Sequence, residues 1–288
     1  MIKILSDLDY QKFLRAVKQA SDYDFSDYSD KSLKRMIAKV INDNKTDINT
    51  LVSKIVRDKD FLERVIKKVT VNTTELFRDP QVWKDIRSRI LPELASFSTI
   101  NIWHAGCSTG QEVYSMLILL NESGLLDKAR VLATDINSDV LESASSGVYR
   151  YRFNKGYLDN FDKVITSESH DPYQKDDLLY SKYFTVDKDK DTITIHPFLR
   201  EKPVFKKHDL VSREECYPGK FDLIICRNVV IYFNYTLQSR IFELFSNKLH
   251  PGGFLVIGIH ETLVDSITDR FNKSGYAFRK QVEFGKMI

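Results

Sequence analysis

The sequence predicts an α/β fold: a parallel sheet of βαβ units carrying a small antiparallel β insertion, preceded by an all-helical N-terminal domain. Three observations predict it. From residue 100 onward, short β-rich runs alternate with helical stretches. Before that point apolar residues recur at helical spacing, and no glycine precedes Gly106. A single stretch, 180–196, instead alternates like a hairpin around a charged turn.

In chain order, Phe13, Val17 and Ala20 make the first apolar stripe, and Leu33, Met36, Ile37, Val40 and Ile41 the second. Leu51, Ile55, Phe61, Leu62, Val65 and Ile66 continue it. Ser26 or Asp30 is expected to cap the second helix and Asp47 the third. The segment 1–70 thus reads as three or four helices, and 81–95, after Pro80, as one more. Candidate strands follow at Ile100–His104, Val131–Thr134, Val204–Lys207, Asp222–Cys226 and Phe254–Ile257. Helices are expected between them at about 111–121, 138–146 and 236–249. Tyr180–Val186 and Thr192–His196 form the hairpin, with Asp187-Lys188-Asp189-Lys190-Asp191 as its turn. The expected domains are 1–80, a linker helix at 81–98, and 99–288 with its β insertion at about 173–203.

Composition narrows the function. With 42 % apolar and 29 % charged residues, the 288-residue chain can bury a core. A net charge of +3, from 43 basic and 40 acidic side chains, gives no global pull toward nucleic acid. The basicity is local: residues 1–70 hold 15 Lys/Arg against 11 Asp/Glu. No apolar run approaches the ~18 residues of a membrane span. Met1–Asp7 meets charge too early for a secretory signal. Cys107, Cys216 and Cys226 lack metal or disulfide spacing, so a reducing cytoplasm is expected. The six histidines never pair at i, i+3 or i, i+4, and no metal site is expected. Met36 is expected in the core.

Four segments carry candidate chemistry. His104-Ala-Gly106-Cys-Ser-Thr-Gly110-Gln-Glu112 ends a strand and opens a helix, where glycines permit a sharp turn and close ligand approach. Asp135, at the next strand end, is placed either to accept from ribose hydroxyls or to cap a helix; Asn137 or Ser138 can supply that cap instead. Phe221–Cys226 ends in polar Arg227-Asn228 followed by Tyr232, which should face the same crevice. Leu249-His-Pro-Gly-Gly253 then leads into the last buried run. The dinucleotide fingerprint GxGxxG and the phosphate loop GxxxxGK[ST] are both absent.

The order of these pieces is similar to Rossmann-like methyltransferases that use S-adenosylmethionine. More specifically, the chain resembles the CheR-type chemoreceptor glutamate O-methyltransferases over nearly its whole length. Asn72-Thr-Thr74-Glu-Leu-Phe-Arg78 resembles that family's Asn-x-Thr-x-Phe-Phe-Arg. Ala105-Gly-Cys-Ser-Thr-Gly-Gln-Glu-Val-Tyr-Ser115 resembles its AGCSTGEEPYS, Ala133-Thr-Asp-Ile136 its ATDI, and Cys226–Phe233 its CRNVxIYF. Leu76, Gln111, Val113, Asn137 and Asn234 depart from the usual Phe, Glu, Pro, Asp and Asp. The usual late Gly-His-Ser-Glu reads Gly258-Ile-His-Glu261 here.

The resemblance implies transfer of a methyl group from S-adenosylmethionine, leaving S-adenosylhomocysteine, to glutamates of cytoplasmic receptor domains. It implies Asn72, Thr74 and Arg78 near the methionine end of the cofactor, Gly106 at the glycine turn, and Glu112 near its charged amino-acid part. Asp135 is implied at the ribose, Asp209 and Leu210 beside the adenine, and Asn228 and Val229 at the fourth strand tip. Arg78 and Tyr232 are the implied catalytic pair, although Arg78 can also pair with Glu75, Asp79 or Asp85, and Tyr232 can serve as core. Glu112 likewise suits a helix N-terminus on its dipole alone. Lys31, Lys34, Arg35 and Lys39 recur at spacings that put several on one helix face, with Lys34 and Arg35 as the expected acceptor-docking pair. A monomer without membrane insertion or nucleic acid is expected. The two other readings are a methyltransferase of this fold with another substrate, and a non-catalytic cofactor-sensing scaffold.

Overall fold

Side-chain caps start three of the four N-terminal helices. The computed structural model describes residues 5–70, 72–166, 181–212 and 217–282, without the side chains of 153–155 and 157. Ser6 accepts from Asp9 N to open α1 (Asp7–Ala20), and Asp47 accepts from Asn49 N and Thr50 N to open α3 (Ile48–Arg57). Asp58 ends α3 and caps α4 (Lys59–Val69) through Phe61 N. For α2 (Asp30–Asp43) the cap is Ser29, without a side-chain bond, rather than Ser26 or Asp30. Asp30 is the first helical residue and accepts from the Tyr10 hydroxyl at 3.0 Å. Phe13, Val17, Leu33, Ile37, Leu51, Ile55, Leu62 and Val65 fuse into one core, as their 3.6-residue spacing requires.

The helix expected after Pro80 forms, but it is interrupted. After α5 (Pro80–Asp85) comes a π-helical turn, Ile86–Ile90, and then α6 (Leu91–Leu94). Leu91 N donates to Ile86 O five residues back, and Pro92 has no N–H to give.

The large sheet takes β1 (Ile100–Ala105), β2 (Ala129–Asp135), β6 (Pro203–Lys207), β7 (Phe221–Cys226), β8 (Leu249–Ile257), β9 (Phe271–Ser274) and β10 (Ala277–Lys280). Their order is β6-β2-β1-β7-β8-β10-β9. The first five are parallel, and β10 runs antiparallel to both neighbours. From β1 the chain first builds outward through β2 and β6, then returns to build the other way from β7. The switch point therefore lies between β1 and β7, where open α/β sheets bind ligands. α7 (Gln111–Glu122) follows β1 and α8 (Ser138–Ser146) follows β2. Ile102, Leu223, Ile225 and Val256 pack on one face with Met116, Leu117 and Leu120 of α7. Trp103, Ile224 and Leu255 pack on the other with Phe242 and Phe245. Burial on both faces explains why these strands read as continuous apolar runs.

The expected hairpin forms as β4 (Phe184–Asp187) and β5 (Thr192–Ile195), joined by a third strand that sequence reading missed, β3 (Val148–Arg150). The expected start of the insertion, 173–180, lies outside the described residues, as does Cys216. A helix, α9 (Tyr151–Ile165), leads away from β3. The Pro-Gly-Gly before the last buried run is not a separate turn. It bulges within β8, so that Phe221 pairs with Leu249 while Leu223 pairs with Phe254. Among the described residues, no helix is long and apolar enough to cross a membrane.

The helical bundle is stitched to the far end of β7. Ser29 N donates to Tyr232 O at 2.8 Å, and Asn234 N to Asp27 O at 2.9 Å. Tyr28 meets Phe233 edge-to-face at 5.0 Å.

Candidate functional site

Between the bundle and the carboxyl ends of β1, β2, β6 and β7 lies an open cleft of about 970 Å³. Its floor is set by the turn after β1. Gly106 N and Cys107 N both donate to Thr134 O, pinning that turn to β2. Gly106 has φ +79°, and a Cβ there would lie 2.5 Å from Val229 Cγ2. Gly110 has φ +89°, and its Cβ would lie 2.8 Å from that of Ala144. Both positions therefore demand glycine.

Glu112, in the first turn of α7, is buried at the bottom of the cleft. His104 Nδ1 lies 3.3 Å from its Oε1, and Arg227 Nη1 donates to its Oε2 at 3.2 Å. Burial pushes the Glu112 carboxyl up, but the His104 hydrogen bond and the Arg227 charge hold it below its usual value. The sequence shows Arg227 only as a polar strand end. Its side chain is fully buried and also bonds Asp79 Oδ2 at 2.7 Å and Arg78 O at 3.0 Å.

Asp135 ends β2. Its Oδ2 accepts from Ser108 N and its Oδ1 from Asn137 N, each at 2.9 Å. Asn137 caps α8 by accepting from Asp139 N, which leaves Asp135 facing the cleft. Asp209 and Leu210, after β6, line the same wall, and Asp209 accepts from Val211 N at 2.8 Å. Burial raises both Asp135 and Asp209 above the ordinary carboxylate value, against the N–H groups they accept from. Tyr28, from the loop between α1 and α2, lines the cleft too; burial and these two carboxylates push its hydroxyl up. Nothing in the sequence marked Tyr28, which sits outside every periodic stretch.

Asn228 and Val229 line the cleft at the end of β7. Asn228 adopts left-handed backbone, φ +60°. Glu261 holds it there: its carboxylate accepts from Asn228 N at 2.9 Å, Gly258 N at 2.6 Å and Ile231 N at 3.2 Å. Burial raises the Glu261 carboxyl in spite of these donors.

Toward the mouth stand Asn72, Thr74, Arg78 and Tyr232. The Asn72 amide turns back to Lys67 O and Thr70 O, at the end of α4. Among the described residues the Arg78 guanidinium has no carboxylate partner, because Asp79 is engaged by Arg227 and Asp85 pairs with Arg89. Burial raises the Tyr232 hydroxyl, opposed by the charges of Arg35 and Arg78. Lys34 and Arg35 part company. Lys34 pairs with Asp7 and lies over the Tyr10 ring, whereas Arg35 is exposed and its charge acts on Tyr232. Met36, expected in the core, is half-buried and lines the cleft with Leu33 and Val69.

This donor set suits a particular ligand chemistry. Three carboxylates in one cleft favour a positively charged group and paired hydroxyls. Among the described residues the buried Ser108 hydroxyl has no partner, and it offers one bond more. An amphipathic wall of Tyr28, Leu33 and Met36 suits a flat apolar ring. Among the described residues no cluster of three His, Cys, Asp or Glu is arranged to hold a metal ion.

Two family models match the chain. "CheR methyltransferase, SAM binding domain" matches residues 72–279, and "CheR methyltransferase, all-alpha domain" residues 8–70. A putative methyltransferase, Cher3, of Pseudomonas putida is 32 % identical over 280 residues, covering 96 % of this chain and 97 % of its own. A chemotaxis protein methyltransferase of Listeria monocytogenes is 29 % identical over 260 residues, covering 89 % and 91 %. Among solved structures, the glycopeptide N-methyltransferase MtfA with (S)-adenosyl-L-methionine matches 60 % of this chain and 53 % of its own, at 9 % identity and a TM-score of 0.34.

Proposed function

The chain belongs to the CheR methyltransferase family, with S-adenosylmethionine as its cofactor, and from that premise we propose that it methylates glutamate side chains of chemoreceptors. Chemotaxis protein methyltransferases such as that of Listeria monocytogenes support this acceptor class. The observation that carries it is the pairing of a carboxylate-lined cleft with a cationic mouth. Arg78 lines that mouth with Tyr232, without a carboxylate partner among the described residues, and the charge of Arg35 acts on the same tyrosine.

When bound, S-adenosylmethionine supplies a methyl group activated on a sulfonium. Glu112 takes the donor's ammonium group, held ionised by His104 and Arg227. Asp135 accepts from the ribose hydroxyls; Asp209 and Leu210 flank the adenine. Gly106, Asn228 and Val229 present close-packed backbone at the strand ends. Asn72 and Thr74 lie by the methionine end, Asn72 through a strap that its own amide fixes to α4. Arg78 pairs with the incoming carboxylate, bidentately where geometry allows, and the Tyr232 hydroxyl donates to it. No general base is required. A glutamate of pKa ~4.3 is already an anion at neutral pH. Catalysis then comes from aligning the reactants and excluding water. Arg35 draws the acidic acceptor toward the mouth. This acceptor places the protein in the cytoplasm.

The test is methyl transfer from labelled S-adenosylmethionine to receptor-bearing membranes of the same source. Label that leaves as methanol in mild alkali identifies a carboxyl methyl ester. Tight donor binding with no receptor labelling sinks the proposal in favour of another acceptor or a donor-sensing role.

A further inference from the structure

The Arg227 side chain is wholly shielded from solvent, and two separate segments, α7 and the stretch that opens α5, converge on its guanidinium. Nη1 reaches Glu112 on α7 at 3.2 Å. Nη2 reaches Asp79 Oδ2 at 2.7 Å and the Arg78 carbonyl at 3.0 Å. The guanidinium carbon lies 5.7 Å from the centre of the Trp83 ring, and the Trp83 indole donates to the same Arg78 carbonyl at 2.9 Å. Arg78 O is therefore gripped by two donors at once. Asp79 needs such a grip, since its φ of +56° is left-handed backbone that a non-glycine residue adopts at a cost. Glu112 is held in the same way. With His104 on one oxygen and Arg227 on the other, its carboxylate has one orientation.

We propose that Arg227 is a positioning residue that couples the two halves of the cleft, fixing Glu112 for the donor and the Arg78 turn for the acceptor. Its acceptor half rests on the methyl-transfer reading; its donor half does not. A planar, forked cation is what the geometry requires. Lysine carries one nitrogen and cannot bridge a carboxylate on α7 and a carboxylate plus a carbonyl before α5 together. The residue acts through Glu112 and Arg78, so its loss shows in both donor affinity and turnover, and the donor effect vanishes once Glu112 is gone.

The experiment is a double-mutant cycle on S-adenosylhomocysteine affinity by calorimetry, using Arg227→Lys, Glu112→Gln and the pair. Arg227→Lys keeps a cation beside the two carboxylates, and its Tm reports whether the fold holds. Should it melt below the assay temperature, Arg227→Gln with Glu112→Gln carries the same cycle. Expected is a loss of about tenfold or more in affinity for Arg227→Lys. The double variant should bind no more weakly than Glu112→Gln alone. At saturating donor, kcat on receptor membranes should also fall about tenfold, with a higher acceptor KM. Wild-type affinity in Arg227→Lys, losses that multiply in the double variant, or unchanged turnover at saturating donor would each overturn the proposal. A wild-type chain that binds donor but labels no receptor instead fails the methyl-transfer reading, and the affinity cycle then decides on Arg227 alone.

Discussion

At the scale of single residues, the carboxylates in the cleft and just behind its wall are of two kinds. Glu112 is stabilised as an anion, while Asp135, Asp209 and Glu261 are each pushed up by burial. The signs of their linkage to stability are opposite. A lowered folded value, as at Glu112, contributes stability above the ordinary pKa that is lost as pH falls. A raised folded value, as at Asp209, works against the fold as pH rises from the unfolded value through the folded one. Asp209→Asn keeps an oxygen for Val211 N and removes the buried charge. Its Tm near neutral pH should equal that of the wild type or exceed it by about 2 °C, and donor affinity should fall about tenfold. Thermal melts from pH ~4 to ~7 should show the wild type losing stability relative to the variant as pH rises. A wild-type advantage that grows with pH would contradict the sign given for Asp209.

Legibility at this scale followed from segment context. Asp135 stands at a strand end, where the sequence itself offers ribose binding or a helix cap, whereas Asp209 is pointed to only by the family resemblance. Arg227 and Glu261 were equally close to recognised segments but escaped, because their partners are distant in the chain. Glu261 lies 33 residues from Asn228, and Arg227 115 residues from Glu112. Only the closed sheet brings such pairs together.

At the scale of elements, the parallel strands were readable because burial on both faces leaves an unbroken apolar run. The edge pieces were not. Each strand of the β9–β10 hairpin buries one side chain, Phe271 or Ala277, too few to make an alternation visible. β3 is three residues long and largely exposed, and only its pairing with β5 makes it a strand. The π turn before Pro92 left no pattern beyond the proline itself. The β1–α7 junction gives the sharpest test of element geometry. Gly110→Ala combines a left-handed residue with a contact against Ala144. We expect a loss of roughly 2–3 kcal/mol, read as a Tm drop of about 4–10 °C, with donor affinity reduced because Glu112 opens the same helix. An unchanged Tm would mean that α7 can shift its first turn freely.

Across the whole molecule, charge and shape divide the labour. The basic N-terminal segment contributes Tyr28, Leu33 and Met36 to the cleft, and the charge of its Arg35 acts on Tyr232. Arg35→Glu should cut kcat/KM on receptor membranes about tenfold at low salt and less at high salt, leaving S-adenosylhomocysteine affinity unchanged. Lys34→Ala is the contrast: Lys34 is committed to Asp7 and Tyr10, so that change should leave turnover as it was. Equal losses from both would return docking to the whole basic face that the spacing suggested. Helix counting could not separate Lys34 from Arg35, because the position of α1 decides which of the two cations is occupied.

The depth gradient of the cleft has a kinetic consequence. Glu112 and Asp135 are buried, Tyr232 is half-buried, and Arg35, whose charge acts on Tyr232, is exposed. On the proposed roles, an acceptor seated at the lip bars the route to the floor. Binding is then compulsorily ordered, donor before acceptor, and the methylated product must depart before the spent donor can escape.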